Sequence, residues 1–350
     1  MIRVGIAGIG FMGMIHYLSY EKVRGAKVTA ICEQDPKRLA GDWRSIKGNF
    51  GPAGTKMDLS KVKTYAKLDE MIADPDIDLI DVCLPPWAHA DVTIDALKAG
   101  KHVFCEKPIA LTASDAKRMV DAASKYYRLL MIGHVLPMYP EFEFALKAAT
   151  EGRYGRLLGG NFKRITADPK WLKHFYEPDK IGGPMLDLHI HDAHFIRLLF
   201  GMPKAVFASG RMRGEVAEFF TTQFLFDNAD LAVAATSGAI RQQGRSFTHA
   251  FEIHFEKATL LYDFAVVGDK PANLMPLTVL TADDKVKQPK LGSGDPMAAF
   301  QRELTEVVRS VQSDKPSLLL DGALARDAVV LCQKQTQSVC SGRIARIGPA

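Results

Sequence analysis

Two stretches of this sequence carry side chains that could move protons, and the first is centred on Lys107. This lysine follows a short apolar run at residues 102–106 and stands directly before Pro108. Because a proline keeps the residue before it out of the helical region, Lys107 is predicted to be extended. Ligands bind outside the carboxyl ends of the strands in an open parallel sheet, so a lysine at such an end would face the ligand crevice. An isolated Lys-Pro pair is more often a solvated surface feature, so the rest of the chain must decide.

The second stretch is 182–194, which begins with two glycines and a proline and holds three histidines and two aspartates. Asp187 and His191 are four residues apart, so they share one face of the helix predicted over residues 184–200. A carboxylate one turn before a histidine can fix the tautomer of the imidazole and raise its basicity. His191 is therefore a candidate general base, and Asp187 is the group that would orient it or the substrate.

A zinc site is the alternative interpretation of this histidine-rich helix. His191 and His194 could bind one ion together with a ligand from elsewhere in the chain. His189 and His191 lie about 200° apart around a regular helix, so they cannot both reach one ion. The sequence favours proton transfer here, and we predict no bound metal.

The motif Gly8-Ile9-Gly10-Phe11-Met12-Gly13 follows an apolar run at residues 2–7 and precedes a helix predicted over 14–23. A GxGxxG motif between a strand and a helix is typical of a dinucleotide-binding loop, and Phe11 and Met12 within it are candidate cofactor contacts. The glycines allow a tight turn, approach of the pyrophosphate and close packing of helix on strand. The free N–H groups of the helix N-terminus would bind the phosphates.

Glu33 directly follows the second predicted strand, at residues 27–32. An acidic residue about 20 positions after the glycine loop is expected to accept hydrogen bonds from the adenosine ribose. It would also repel a 2′-phosphate, which favours NAD as the cofactor. Lys37 and Arg38 lie close enough in sequence to accept such a phosphate, so NADP stays possible.

Strands and helices alternate as far as Gly133, which predicts a parallel, doubly wound α/β sheet, the Rossmann fold, over residues 1–133. The strand predicted at 77–84 ends at Pro85, so Pro85 and His89 should lie beside the same crevice as Lys107. From residue 157 onward, β-rich segments follow one another mostly without helices between them, as antiparallel strands do. A second α/β domain is therefore predicted over 134–350, with a last helix at 322–339 that could pack back on the first domain.

The composition of the 350-residue chain bounds its partners and its compartment. The net charge is only +5 and there is no run of five basic residues, which argues against nucleic acid as a partner. No apolar run reaches the ~18–20 residues of a membrane helix, and the first residues do not read as a signal peptide. The five cysteines are odd in number and form no CxxC pair, which predicts free thiols and a cytoplasmic location.

Together, these motifs resemble the glucose–fructose oxidoreductase and inositol dehydrogenase (Gfo/Idh/MocA) family over nearly the whole chain. The resemblance rests on the glycine loop, on 85–89 (PPWAH), on 100–108 (GKHVFCEKP) and on 182–192 (GGPMLDLHIHD). It implies a Rossmann domain followed by an α/β domain with a large open, mostly antiparallel sheet, whose face commonly packs subunits into homodimers or homotetramers. It also implies cofactor contact at Glu106, a cis bond before Pro108, and catalytic roles for Lys107, Asp187 and His191.

Three positions depart from the pattern of that family. Pro86 stands where asparagine is frequent, His134 where an arginine is frequent, and His189 where glycine is common. The last two are expected to reshape the substrate pocket, so no particular substrate is predicted. The candidates for lining that pocket are His134, Arg164, Trp171 and His174.

The sequence thus predicts an NAD(P)-dependent oxidoreductase that transfers hydride between a nicotinamide cofactor and a sugar, a polyol or a related cyclic alcohol. Two alternatives remain at this point. The first is an enzyme that keeps NAD bound and uses transient oxidation to eliminate or hydrolyse a glycosidic bond. The second is a non-catalytic protein that senses NAD(P), which the presence of Lys107, Asp187 and His191 counts against.

Overall fold

The computed structural model describes residues 1–268 and 270–348, and contacts within it divide the chain into two compact units. The first unit comprises Met1–Ala110, Ser114–Tyr139 and Ser293–Arg326. The second comprises Leu111–Ala113, Pro140–Gly292 and the described residues from Asp327 onward.

The first unit is built on a six-stranded parallel sheet in the order β3-β2-β1-β4-β5-β6. This order is that of a Rossmann fold, and it reverses between β1 and β4. The predicted fold class is confirmed. The strands are β1 (Ile2–Ala7), β2 (Ala26–Cys32), β3 (Lys63–Tyr65), β4 (Leu79–Val82), β5 (His102–Glu106) and β6 (Leu130–Gly133). The helices that connect them are α1 (Phe11–Tyr20), α2 (Pro36–Leu39), α3 (Leu68–Ala73), α4 (His89–Lys98) and α5 (Ala113–Tyr126).

The central strands of this sheet are buried along their length. Every residue of β4 and β6 is buried, as is typical of parallel strands that are covered on both faces. The register aligns Ala7 with Val82 and Val82 with Cys105, so β1, β4 and β5 end at the same level. The segments that follow these three strands therefore meet at one edge of the sheet.

A helix from late in the sequence completes the core of the first unit. Helix α8 (Pro296–Ser313) begins at Asp295, whose side chain accepts a hydrogen bond from the N–H of Met297. Its buried residues recur at helical spacing and share one hydrophobic cluster with α1. The division differs here from the predicted boundary at 133–134, which placed Ser293–Arg326 in the second domain. The periodic apolar residues of α8 predict a buried face, but they do not indicate which element packs against that face.

The second unit is built on a nine-stranded sheet in the order β14-β13-β12-β11-β7-β10-β9-β8-β15. Strands β7 and β10 pair in parallel, and the other pairs are antiparallel, so the mostly antiparallel sheet is confirmed. The strands are β7 (Leu157–Ala167), β8 (Ala205–Arg213), β9 (Val216–Leu225), β10 (Ala232–Ile240), β11 (Arg245–Phe255), β12 (Ala258–Val267), β13 (Lys270–Thr281), β14 (Val286–Lys287) and β15 (Ala345–Arg346).

The remaining helices are α6 (Pro140–Thr150), α7 (Ile190–Phe200) and α9 (Gly322–Ser341). A 3₁₀ turn at Leu136–Met138 precedes α6. One helix corrects the predicted bounds. A π-helical turn at Met185–His189 precedes α7, where one regular helix was predicted over 184–200. In the part of the chain that the structure describes, no helix has the length and apolar character that a membrane span requires.

Candidate functional site

The glycine loop joins β1 to α1, and its three glycines serve three different purposes. Gly8 has a φ of +91°, and a Cβ there would come within 2.9 Å of the carbonyl oxygen of Cys83. A Cβ on Gly13 would lie 2.0 Å from the carbonyl oxygen of Gly8, so helix and strand pack too closely for a side chain. A Cβ on Gly10 would meet no described atom within 4 Å. The open space at Gly10 fits the approach of a cofactor pyrophosphate.

The first turn of α1, which contains Phe11 and Met12, leaves its backbone N–H groups uncapped by side chains. Gly10 is the N-cap residue and offers no side-chain hydrogen bond. Unsatisfied N–H groups and the positive end of the helix dipole favour an anion at this position. The loop thus has the uncapped helix N-terminus that binding of a phosphate would require.

The carboxylate of Glu33 lies against the glycine loop. One of its oxygens, Oε2, accepts a hydrogen bond of 2.8 Å from the N–H of Ile9. The other, Oε1, accepts from the N–H groups of Gln34 at 2.7 Å and Asp35 at 3.0 Å. These bonds fix the carboxylate beside the loop, where its remaining lone pairs could accept ribose hydroxyls.

A basic side chain lies on the same side of the loop. The Arg38 guanidinium donates to the carbonyl oxygen of Ile9 at 3.3 Å, and its Nε is 3.8 Å from the carboxylate of Asp35. Arg38 could therefore contact a phosphate at the ribose, whereas Glu33 would oppose one. Both side chains contact the backbone of Ile9, and the hydrogen bond to Glu33 is the shorter, at 2.8 Å against 3.3 Å for Arg38.

Lys107 follows β5 directly and is half-buried. The expected cis bond joins it to Pro108. Its backbone N–H donates a 3.1 Å hydrogen bond to Oε2 of Glu106, so the buried Glu106 side chain holds the lysine backbone. The lysine stands at the edge of the sheet where β1 and β4 also end, close in the fold to the glycine loop.

His89 links the ends of two strands through its ring. Nδ1 lies 2.8 Å from the carbonyl oxygen of Pro108, and Nε2 lies 2.8 Å from that of Leu84. Burial lowers the pKa of the imidazole, and the two carbonyl contacts offset part of that effect. Pro85 begins the turn between Leu84 and His89. The sequence predicted that His89 lies beside the crevice, but only the structure gives this bridging role.

The second unit contributes the turn that carries Asp187 and His191. It begins after Gly183, which has a φ of +64° and where a Cβ would lie 2.2 Å from a methyl carbon of Val216. Asp187 lies in the π-helical turn and His191 is the second residue of α7. Both side chains are half-buried, so each keeps access to a ligand. The i to i+5 bonding of a π-helix is rare and frequently marks a functional site.

His189, which stands in the same turn, is fully buried and fixed against the sheet. Its Nδ1 is 2.8 Å from the hydroxyl oxygen of Ser237 in β10, and its ring meets that of Phe220 edge to face at 5.2 Å. Burial lowers the pKa of His189 to about 4, so its ring is neutral near pH 7. His189 thus anchors the turn beneath Asp187 and is poorly suited to exchange protons with a substrate.

The four predicted pocket residues lie in different environments. Arg164 is 3% exposed and makes a bidentate ion pair with Asp192, at 2.7 and 3.1 Å. His134 is fully buried after β6, whereas Trp171 is 77% exposed. His174 is exposed, with its Nδ1 2.7 Å from a carboxylate oxygen of Glu177. The charge of Arg164 is already compensated by Asp192, and the substrate role of all four residues stays a prediction.

An open cavity of about 450 Å³ lies in the second unit next to His174. The Arg213 guanidinium lies 3.8 Å above the ring of Tyr176 and 3.1 Å from the carboxylate of Asp168. The Tyr176 hydroxyl donates to Asp168 at 2.9 Å, and burial together with this bond raises the pKa of Tyr176 to about 12. Paired charges and an aromatic face give this cavity groups that suit a hydroxylated ligand.

The five cysteines are all free thiols, as predicted. Within the described residues, the three side chains whose donor atoms lie close enough to share a metal ion are His16, Asp81 and Cys83. They lie in the first unit and not on the helix that carries His191 and His194.

Two family profiles match the chain, one in each part of the sequence. Residues 2–134 match a profile described as oxidoreductase family, NAD-binding Rossmann fold. Residues 142–261 match the profile of the Gfo/Idh/MocA C-terminal domain. This chain belongs to the Gfo/Idh/MocA family of oxidoreductases. The resemblance carried by the sequence motifs is confirmed.

Members of this family with known activities show moderate identity to the chain. The myo-inositol 2-dehydrogenase of Thermotoga maritima is 31% identical over 211 residues, which cover 60% of this chain and 58% of that protein. The 1,5-anhydro-D-fructose reductase of Ensifer adhaerens is 30% identical over 210 residues, which cover 57% of this chain and 61% of that protein. The chain thus spans about 60% of the length of these relatives.

A solved structure supports the fold along the whole chain. A levoglucosan dehydrogenase in complex with NADH superposes with a TM-score of 0.81 and covers 100% of both chains. Its sequence identity to this chain is 20%, so the similarity shows a common fold.

Proposed function

We propose that this protein is an NAD-dependent dehydrogenase that oxidises a secondary hydroxyl group of a sugar, a polyol or a related cyclic alcohol, or reduces the corresponding ketone. One observation carries the proposal. The segment Glu106-Lys107-Pro108 follows β5 at the sheet edge where β1 carries the glycine loop. The named substrates of the relatives, which are inositol, an anhydrofructose and levoglucosan, support this class of alcohol.

Bound NAD would supply the hydride acceptor, through its nicotinamide ring. The glycine loop would hold the pyrophosphate, and Glu33 the adenosine ribose. Lys107 would donate a hydrogen bond to the reacting oxygen and stabilise the negative charge that develops there. His191 would take the hydroxyl proton, and Asp187 would orient its imidazole. The contact between His189 and Ser237 anchors the turn and would hold Asp187 in a fixed position relative to His191.

The direct test is a screen of inositols, sugars and anhydrosugars with NAD and NADP, followed by the absorbance of the reduced nicotinamide. Lys107→Met and His191→Ala should each lower turnover ~100-fold or more, because each removes a group that handles charge or a proton in the reaction. Lys98→Ala and His254→Ala change a lysine of α4 and a histidine of β11 outside the proposed machinery and should leave turnover unchanged. Full activity in the first two variants would contradict the assignment.

The same assay separates the alternative chemistry. A dehydrogenase accumulates reduced cofactor in proportion to product, whereas transient oxidation regenerates NAD and gives product without net reduction. Binding of NAD without turnover of any alcohol or glycoside would favour a sensing role. The intact set Lys107, Asp187 and His191 supports turnover.

The protein is further proposed to work in the cytoplasm as a homodimer or homotetramer. Free thiols at all five cysteines suit a reducing compartment. Phe207 on β8 is 40% exposed, and a large apolar side chain on an open sheet suits an interface between copies. Light scattering after size exclusion tests this proposal. A monomer at micromolar concentration would contradict it, and Phe207→Glu should shift an oligomer toward smaller species.

A further inference from the structure

A fully buried imidazole lies behind the strand end that carries Lys107. His16 stands on α1, three residues after the last glycine of the loop, and has no solvent exposure. Its Nδ1 lies 3.0 and 3.1 Å from the two carboxylate oxygens of Asp81 in β4. Its Nε2 lies 3.1 Å from Oε1 of Glu106 in β5. Nδ1 thus makes hydrogen bonds to Asp81, whereas Nε2 lies at ion-pair distance from Glu106 without the angle of a hydrogen bond. A protonated ring would attract both carboxyl groups by charge.

The groups around His16 come from four elements of the first unit. They are Tyr20 on α1, Asp81 and Cys83 at the end of β4, Glu106 on β5 and Glu303 on α8. Burial alone lowers the pKa of His16, but the charge of Asp81, with Cys83 beside it, raises that pKa well above its ordinary value. Burial, and then the charge of Glu106, raise the pKa of Glu303 well above its ordinary value, which favours its protonated form. The imidazole is thus the positive charge that the buried carboxylates require.

The side chain of Glu106 lies between His16 and the backbone of Lys107. Its Oε2 accepts the backbone N–H of Lys107 at 3.1 Å, while its Oε1 faces His16. The carboxyl group is also confined from the other side, because a Cβ on Gly133 in β6 would come within 3.0 Å of Oε1. One side chain is therefore held between a ring, a neighbouring strand and the backbone that precedes Pro108.

We propose that His16 is a positioning residue, which clamps the Glu106 carboxyl group and thereby fixes Lys107 relative to the helix that begins at the dinucleotide loop. The proposal rests on the proposed role of Lys107 in catalysis. In this proposal, the contact between His16 and Glu106 connects helix α1, which follows the cofactor loop, to the backbone of Lys107. The same donor atoms could in principle bind a metal, but contacts of 3.0–3.2 Å between His16, Asp81 and Cys83 are those of hydrogen bonds.

His16→Gln tests the clamp because it keeps a polar side chain and removes the imidazole. We expect turnover to fall ~10–100-fold, since a small misplacement of a reacting group has effects of this size. NADH affinity, measured by fluorescence titration, should change by less than a factor of ~3, and so should KM for the alcohol. A merely structural defect would lower the melting temperature and weaken NADH binding without this selective loss in kcat. The control is His102→Gln, which changes the first residue of the same strand and should leave kcat unchanged.

Gly133→Ala is the second variant, and it keeps His16 intact. The added methyl group must displace the Glu106 carboxyl, so kcat should fall with little change in NADH affinity. Crystal structures of both variants give a readout that does not depend on any substrate: the Glu106 carboxyl and the Lys107 backbone should move together. Their failure to move would overturn the clamp even if the enzyme is a dehydrogenase. Stoichiometric zinc in the purified wild-type protein, measured by elemental analysis, would also overturn it.

Discussion

A substitution at Gly10 should affect cofactor binding much more than it affects folding. Gly10 has a φ of −84°, and an added methyl group would meet no described atom within 4 Å. Gly10→Ala should therefore lower the melting temperature only slightly, because alanine is a poorer N-cap residue than glycine. It should weaken NADH binding ~10-fold or more, because the methyl group occupies the space through which the pyrophosphate approaches. Calorimetric titration with NADH and a thermal melt measure both quantities.

Gly13→Ala is the matched contrast. Its methyl group would lie 2.0 Å from the carbonyl oxygen of Gly8, so the helix must move away from the strand. We expect a loss of ~1–3 kcal/mol in the free energy of unfolding. Equal effects of the two substitutions on stability would contradict the division of roles within the loop.

Glu33 makes a prediction about cofactor choice. Glu33→Gln keeps an oxygen that can accept from the N–H of Ile9, but it removes the charge that opposes a 2′-phosphate. The ratio of the NADPH to the NADH dissociation constants should shrink by at least ~10-fold, since facing like charges cost several kcal/mol. Glu21→Gln, at the exposed end of α1, should leave that ratio unchanged. An unchanged ratio in Glu33→Gln would contradict this role of the Glu33 charge.

Sequence patterns indicated candidate residues whose proposed roles depend on spacing within one segment. The glycine loop, Lys107 before Pro108 and the pair Asp187 and His191 are of this kind. His16 was missed because its partners lie far away in sequence, Asp81 by 65 residues. The pairing of Arg164 with Asp192 was missed for the same reason, although both are polar residues within apolar segments and are 28 residues apart. Polar residues at buried positions of an amphipathic element are the signal that could have indicated such pairs.

At the scale of elements, α8 brings a carboxyl group into an apolar core. Burial and the charge of Glu106 raise the pKa of Glu303 in the folded state above its value in the unfolded chain. The unfolded chain therefore releases this proton first as the pH rises, and stability declines from about pH 4.5 upward. Glu303→Gln mimics the protonated form, so it should flatten the loss of stability between pH 6 and 9.

Thermal melts of wild type and variant across that range measure the effect. Glu306→Gln, which changes a neighbouring carboxylate of the same helix that pairs with Arg309, is the control. His16 acts in the same direction, because its raised pKa means that its contribution is lost as the pH rises through the folded-state value. A wild-type slope retained in Glu303→Gln would assign the pH dependence to His16 alone.

Element prediction was most accurate where hydrophobic periodicity is unambiguous. Strand β5 has the predicted bounds, and β7 begins at the predicted residue 157. The π-helical turn was missed because its apolar residues repeat nearly as they would in an α-helix, while the difference lies in the backbone bonding. Strand β3 has only three residues, which is too short for a pattern of alternation.

At the scale of the whole molecule, two neutral histidines in the second unit should make the protein sensitive to acid. Burial lowers the pKa of His189 to about 4 and that of His249 well below its ordinary value. As the pH falls below about 6.5, the unfolded chain takes up these protons while the folded chain does not, so stability decreases. For His189 alone the effect is on the order of 3 kcal/mol when the pH reaches 4.

His189→Gln should reduce the drop in melting temperature between pH 7 and pH 5, although it lowers stability at pH 7 through loss of the bond to Ser237. Near-ultraviolet circular dichroism follows the transition. His254→Gln changes a histidine that is partly exposed and should keep the wild-type drop. A steeper pH dependence in His189→Gln would contradict the assignment of a neutral ring.

The two-sheet architecture followed from the order of strands and helices, because parallel sheets require crossover helices and antiparallel sheets do not. The assignment of Ser293–Arg326 to the first unit did not follow. The chain leaves the first unit at Tyr139 and re-enters it at Ser293, and a linear pattern does not record such a return. The packing of the apolar face of α8 with α1 shows that this segment belongs to the first unit.

The π-helical turn at Met185–His189 also has a consequence for how this region can vary in length. A π-turn holds one residue more than an α-turn, so deletion of Leu188 would restore regular α-helical bonding without shortening the helix axis by a full turn. The deletion would rotate Asp187 by about 100° relative to His191. Loss of one residue here would therefore change the placement of Asp187 relative to His191, the two proposed catalytic side chains, without a substitution at either position.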